Sequence, residues 1–207
     1  MRRGTALALA MTLAATVLSG CMADLPVAKS KSPQHRVTVL GGKLTLAAPT
    51  GYCIDPKSQR DAPEAAFVLW GNCAAIARDP QATQPRHRAL LSAAVGPMPK
   101  VPTQVALEGY ERFFRSEAGR AGMARSGRAE DLKILRVQQS EKLLFLKIAD
   151  RSVDTSGPVD GTYWRAITGI SGHVAALSVM PLRGSGLDDA TQRKLLQSLE
   201  ASIRAAN

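Results

Sequence analysis

Residues 161–180, GTYWRAITGISGHVAALSVM, combine two long apolar-rich runs with a short polar break. Both runs are rich in β-branched, aromatic and other apolar residues, which favours strands. The break, Ser171-Gly172, has the length and composition of a two-residue hairpin turn. Two upstream runs, 132–137 and 142–149, are separated by Gln139-Ser140 in the same way. The sequence therefore predicts four consecutive strands joined as hairpins, a pattern typical of an antiparallel sheet.

Three further segments towards the amino end also predict strands. Residues 37–46 alternate around Gly41-Gly42 and indicate another hairpin. Residues 66–70 and 89–95 are apolar runs closed by glycine, asparagine or proline, as expected of buried strands.

Two amphipathic segments predict helices. The first begins at Thr103 as N-cap and continues to Ala121, with a solvated face of Glu–Arg pairs four residues apart. The second is capped by Asp188 or Asp189 and buries four residues, Leu195, Leu196, Leu199 and Ile203. The predicted fold class is α+β, an antiparallel β-sheet of about six to eight strands with two main helices packed on it, one of them C-terminal.

The two ends of this domain weakly resemble PsbP-like domains. The matching features are a hairpin followed by Pro49-x-Gly51-aromatic, and a closing helix that contains Ser198-Leu199 and Ser202-Ile203. The resemblance implies an antiparallel sheet with flanking helices and an accessory or assembly role without a catalytic centre.

The first 21 residues have the order of a secretory signal, with Arg2 and Arg3 followed by an apolar run that ends in small residues. Its last four, Leu18-Ser19-Gly20-Cys21, resemble the lipobox of bacterial lipoproteins. The resemblance implies cleavage before Cys21 and acylation of that cysteine, which then holds the protein on the lipid bilayer. The alternatives are a transmembrane anchor and an ordinary cleaved signal, but the run is shorter than the roughly 20 residues that a spanning helix needs.

The predicted organisation is a signal peptide at 1–20, the lipidated Cys21 and a flexible tether at 21–35, and one globular domain at 36–207. The expected location is the cell envelope, lipid-anchored and facing the periplasm. Met22 stands where some lipoproteins carry an inner-membrane retention aspartate, which slightly favours the outer membrane.

The two remaining cysteines, Cys53 and Cys73, are an even pair in an exported protein, which predicts one disulfide bond. The alternative is a reactive thiol with a nearby base, for which His87 is the nearest histidine in sequence.

The chain has a net charge of +10, of which Arg2 and Arg3 contribute two. A basic surface favours anionic partners, here an envelope polymer or a protein, although charge alone also serves solubility. Aromatic residues are scarce at 4%, which argues against nucleic acid as a partner. The densest basic run is a candidate anionic-partner surface, or else a salt-bridged helix face with a charged loop. Its members are Arg112, Arg115, Arg120, Arg125 and Arg128.

No catalytic, metal or cofactor motif occurs in the sequence. The three histidines lie far apart, without the paired spacing of zinc ligands, so neither a metal nor a cofactor is expected. Gly169-Ile170-Ser171-Gly172-His173 lacks the G-x-S-x-G spacing of a hydrolase elbow. Ser171, His173 and Asp160 stay candidates for a triad that folding would assemble.

The leading functional hypothesis is a membrane-anchored envelope lipoprotein that acts as a non-enzymatic accessory or binding module. The alternative is a periplasmic hydrolase of the Ser/His/Asp type.

Overall fold

The structure is a computed structural model that describes residues 33–207. Within them, ten strands, four α-helices and a short 3-10 turn at Ala129–Asp131 follow one another along the chain. In order they are β1 Arg36–Val39, β2 Leu44–Ala47, β3 Tyr52–Ile54, β4 Arg60–Asp61, β5 Ala66–Asn72, α1 Cys73–Ala77, β6 Ala89–Pro97, α2 Thr103–Arg115, α3 Glu117–Met123, β7 Leu132–Gln139, β8 Leu144–Asp150, β9 Thr162–Ile170, β10 His173–Pro181 and α4 Asp189–Ala205.

Eight strands form one antiparallel sheet in the order β3-β5-β6-β10-β9-β8-β7, with β4 paired to β5. The β9–β10 hairpin lies inside this sheet and turns at Ser171 and Gly172, both with positive φ. At one edge, β7 has a register shift between Ile134 and Arg136. The predicted α+β class is therefore confirmed, with an eight-stranded sheet.

Each face of the sheet has its own hydrophobic core because neighbouring side chains in a strand point to opposite faces. In β8, Leu144 and Leu146 face one core and Phe145 faces the other. We call the larger one the α4 core, since it includes Leu196 of α4 together with the β1–β2 hairpin. The smaller one, the α2 core, contains Leu107 of α2. Strand β8 is thus covered on both faces, as expected for an apolar run such as 143–146.

Helix α4 begins where the Asp188 carboxylate accepts a hydrogen bond from the backbone N–H of Thr191, so Asp188 is the N-cap. The helix then packs on β9, β10 and β2. Its four predicted core residues, Leu195, Leu196, Leu199 and Ile203, are all buried. Burial of each stabilises the fold by roughly 1.5–3 kcal/mol.

The single helix predicted from Thr103 to Ala121 is wrong in two respects. Pro102 occupies the N-cap position without a side-chain hydrogen bond, and Thr103 is the first helical residue. The helix also breaks at Ser116, whose extended backbone ends α2 and whose hydroxyl accepts a hydrogen bond from the N–H of Gly119 to start α3. The break brings Gly119 so close to Phe113 that a Cβ there would lie 1.9 Å from the Phe113 carbonyl oxygen.

Candidate functional site

Cys53 and Cys73 form a disulfide bond, with their Cα atoms 4.7 Å apart. Cys53 lies in β3 and Cys73 follows β5 directly, so the bond joins the ends of two paired strands. Beside it, Gly51 has φ +86° and its backbone lies against the Gln84–Pro85 segment, which leaves no room for a side chain. The predicted pairing is confirmed. The predicted lipidation site, Cys21, lies outside the described residues.

The three candidate triad residues lie apart. Ser171 is in the β9–β10 turn, and the ring Nδ1 of His173 donates to its backbone carbonyl oxygen at 2.9 Å. Asp160 lies at the other end of β10, where its N–H donates to the carbonyl oxygen of Pro181. Strand β10 spans His173–Pro181, which separates the two ends by about 26 Å at 3.3 Å per residue. The structure therefore assembles no triad from Ser171, His173 and Asp160.

Histidines and acidic residues form no metal-like cluster within residues 33–207. In the same part of the chain, no helix is long and apolar enough to cross a membrane.

The five arginines of the basic run have different environments. Arg115 pairs with Glu111 at 2.9 Å and Arg128 pairs with Asp131 at 2.7 Å, as expected of a salt-bridged surface. Hydrogen bonds from Ser126 and Arg128 lower the pKa of the Asp131 carboxyl. The members that form no ion pair with any described residue are Arg112, Arg120 and Arg125.

One predicted pair is absent. Glu108 accepts a hydrogen bond from Gln104 at 3.4 Å and forms no ion pair with Arg112, which stays exposed on α2. Some arginines of the basic run therefore form ion pairs with described residues, and others do not.

Helix α2 and the segment just before it also expose apolar side chains. Val101, Val105 and Phe113 are 45%, 49% and 49% exposed, and we call these three residues the α2 ridge. Together with Gly109 and Tyr110 they line an apolar depression of about 420 Å³. The i, i+4 spacing of residues 105, 109 and 113 is the sequence signal for this ridge, since it places them along one side of α2, and Val101 lies just before the helix.

The half of the sheet next to α2 has only partial cover. Strands β5 and β6 turn one set of side chains to the α4 core, so the alternate set faces the side on which α2 lies. Besides the buried Ser92, those alternate side chains include four half-buried or exposed apolar groups: Phe67, Leu69, Leu90 and Ala94. The α2 ridge therefore shares its side of the sheet with further accessible apolar residues.

On the opposite face, a polar groove lies between α4 and the β7–β8 edge. Lys147 of β8 pairs with Asp189 of α4 at 2.8 Å, and this hydrogen bond is the main reason that the pKa of Asp189 is lowered. The indole N–H of Trp164 also favours the charged form of Asp189, although its geometry falls short of a regular hydrogen bond. The guanidinium carbon of Arg193 lies 4.9 Å from the centroid of the Trp164 ring, a cation–π contact.

Comparison with known proteins identifies no family for this chain. No family model matches it, and no curated protein is a detectable relative. Among solved structures, a mutant of the protein Mog1 is similar at 10% sequence identity and a TM-score of 0.40, over 81% of this chain and 91% of that chain. A similarity at this TM-score supports no conclusion about function.

Proposed function

We propose that the protein is a lipid-anchored lipoprotein of the bacterial cell envelope and that its α+β domain is a non-enzymatic accessory or binding module. The observation that carries the proposal is the pairing of a lipobox-like Leu18-Ser19-Gly20-Cys21 with the Cys53–Cys73 disulfide. Disulfides persist in oxidising compartments, and a lipobox directs a chain to the same side of the membrane. Two independent features therefore agree on export.

The proposed binding surface consists of the α2 ridge and the arginines of the basic run that form no ion pair with any described residue. Exposed apolar side chains beside basic ones match surfaces that bind anionic membranes or polymers, because apolar burial and charge attraction add. Arg112 lies on α2 itself, within the segment between Val101 and Phe113. Three of the four large, strongly exposed apolar residues of the described domain belong to this ridge, and the fourth is Leu135.

The anchor is tested by palmitate labelling and membrane fractionation of cells that produce Cys21→Ser. We expect this variant to lose both label and membrane association, while the matched control Met22→Ala keeps both. Two acyl chains or more are needed for firm anchoring, so partial acylation would show as partial release. Label that persists on the Cys21→Ser protein would contradict the proposal.

The binding surface is tested by flotation with vesicles of anionic or zwitterionic phospholipid and by sedimentation with cell-wall sacculi. In the unacylated Cys21→Ser protein, we expect binding to an anionic partner to fall when Val105 and Phe113 are both changed to Ser. Leu135→Ser is the matched control, since it removes an equally exposed apolar side chain from a different place. Equal losses in both variants, or unchanged binding in the double variant, would contradict a specific role of the ridge.

The role of the three arginines in this surface is tested by changing Arg112, Arg120 and Arg125 to Glu, which reverses their charge. Binding should fall and should lose its dependence on salt, because electrostatic attraction is screened over about 10 Å at 0.1 M salt. Unchanged binding of this triple variant to vesicles and to sacculi would reject the arginines as the docking surface.

A further inference from the structure

The polar groove beside α4 has the features of a small-molecule site. It encloses about 330 Å³, near the lower end of the roughly 300–1,000 Å³ of ligand pockets. The sheet contributes Gln138, Gln139 and Phe145, and α4 contributes Arg193, Lys194 and Gln197.

Strand register explains why Gln138 and Phe145 meet at this groove. Gln138 of β7 pairs with Phe145 of β8, so both side chains point to the same face of the sheet. Phe145 belongs to the α4 core, which identifies this face as the one that α4 covers. Helix α4 lies over β9 and β10 and leaves the β7–β8 edge open, so the groove forms between them.

Arg193 carries a positive charge that the described protein does not neutralise. It forms no ion pair with any described residue, and its Nη1 atom is covered by protein without a hydrogen-bond acceptor. The nearby carboxylate of Asp189 is already engaged by Lys147 at 2.8 Å. A charge in partly desolvated surroundings attracts an anion more strongly than a charge in bulk water does.

The guanidinium is also held in place. Its contact with the face of Trp164, a side chain with no exposed surface, restricts the rotamers of Arg193. Because Nη1 is covered by protein, the edge that can hold a carboxylate through two parallel hydrogen bonds is the one formed by Nε and Nη2. Less entropy is lost on binding when the donor is already ordered. Lys194, on the next position of α4, adds a second cation at the rim.

We propose that this groove binds a small organic acid with a polyhydroxylated body, of which a uronic acid is representative. Its carboxylate lies against Arg193 and Lys194. The amides of Gln138 and Gln197 hydrogen-bond its hydroxyl groups, since an amide both donates and accepts. The small accessible part of Phe145, a buried side chain, completes the lining. This site is on the opposite face of the sheet from α2 and does not depend on the anchor or on the α2 ridge.

The test is a titration of the purified full-length protein with sodium D-glucuronate, followed by calorimetry and by the NMR signal of the Trp164 indole N–H. Neutral D-glucose and inorganic phosphate are the comparison probes. We expect glucuronate to shift the Trp164 signal and to bind at least tenfold more tightly than either comparison probe. Absence of binding at about 10 mM glucuronate, a concentration at which even a millimolar affinity is evident, would overturn the proposal.

Single substitutions test whether glucuronate binds in this groove. Arg193→Gln should weaken glucuronate binding at least tenfold, as expected for the loss of a charged hydrogen-bond pair. Lys43→Gln, in the exposed β1–β2 turn, is the control with the same net charge and should bind as the wild type does. Gln197→Ala, an exposed position of α4, tests the same groove if Arg193→Gln unfolds, and thermal melting identifies that case. Equal affinity of phosphate and glucuronate, or equal weakening in Lys43→Gln, would also overturn the proposal.

Discussion

Removal of the Cys53–Cys73 bond should destabilise the domain by an amount that follows from the length of the loop it closes. The two cysteines are 20 positions apart in sequence. A cross-link of that span removes about 3.3 kcal/mol of conformational freedom from the unfolded chain in the entropic description. For a domain of this size, a change of that magnitude lowers the melting temperature by about 7–13 °C.

The assay is thermal unfolding by circular dichroism or calorimetry in a Cys21→Ser background, with and without a phosphine reductant. We expect the reductant to lower the melting temperature of the protein that has both cysteines. The Cys53→Ala/Cys73→Ala double variant should unfold at the lower temperature in both conditions, which makes it the control for side effects of the reductant. A difference below about 2 °C, or two reactive thiols in the unreduced unfolded protein, would refute the reasoning.

Three further predictions concern other elements and are tested by urea or thermal unfolding. Gly119→Ala should destabilise the α2–α3 break, because its Cβ would lie 1.9 Å from the Phe113 carbonyl oxygen, while Gly122→Ala in open space should be neutral or stabilising. If Gly119→Ala were as stable as Gly122→Ala, the tight turn would not exist in solution. Leu199→Ala in α4 should lower the free energy of unfolding by about 2–5 kcal/mol, since this side chain is fully buried. A loss below about 1 kcal/mol would mean that α4 is not packed as described. Asp189→Asn should lower the urea midpoint above about pH 5, and the deficit should vanish as the pH falls through the folded pKa, because a lowered carboxyl pKa stabilises the fold only where the group is charged. A deficit that does not vary with pH would show that the ion pair is not its cause.

Much of the fold can be predicted from local pattern. The 161–180 hairpin follows from strand composition and a two-residue turn, and α4 follows from the helical spacing of its leucines and an aspartate cap. The α2–α3 break does not follow in this way. Ser116 ends one helix and caps the next within a sequence whose apolar spacing continues across it, so periodicity alone joins the two.

The candidate sites depend more strongly on tertiary structure. Val101, Val105 and Phe113 have helical spacing, but only packing decides which side of α2 faces the sheet and which side faces solvent. The α4 groove combines Gln138, Trp164 and Arg193 from three separate elements, so no local motif indicates it. The disulfide can be predicted from the sequence because the prediction rests on export to an oxidising compartment and needs no knowledge of the fold.

The edge strand β7 has a consequence for how copies of the protein meet. An outer strand offers unpaired backbone groups that can template a strand of another molecule. In β7 the offset between Ile134 and Arg136 interrupts the regular spacing of those groups, and the exposed Lys133 and Arg136 place like charges along the same edge. An irregular, cationic border of this kind disfavours the pairing of two β7 strands from different copies, and so guards against fusion of their sheets into fibres.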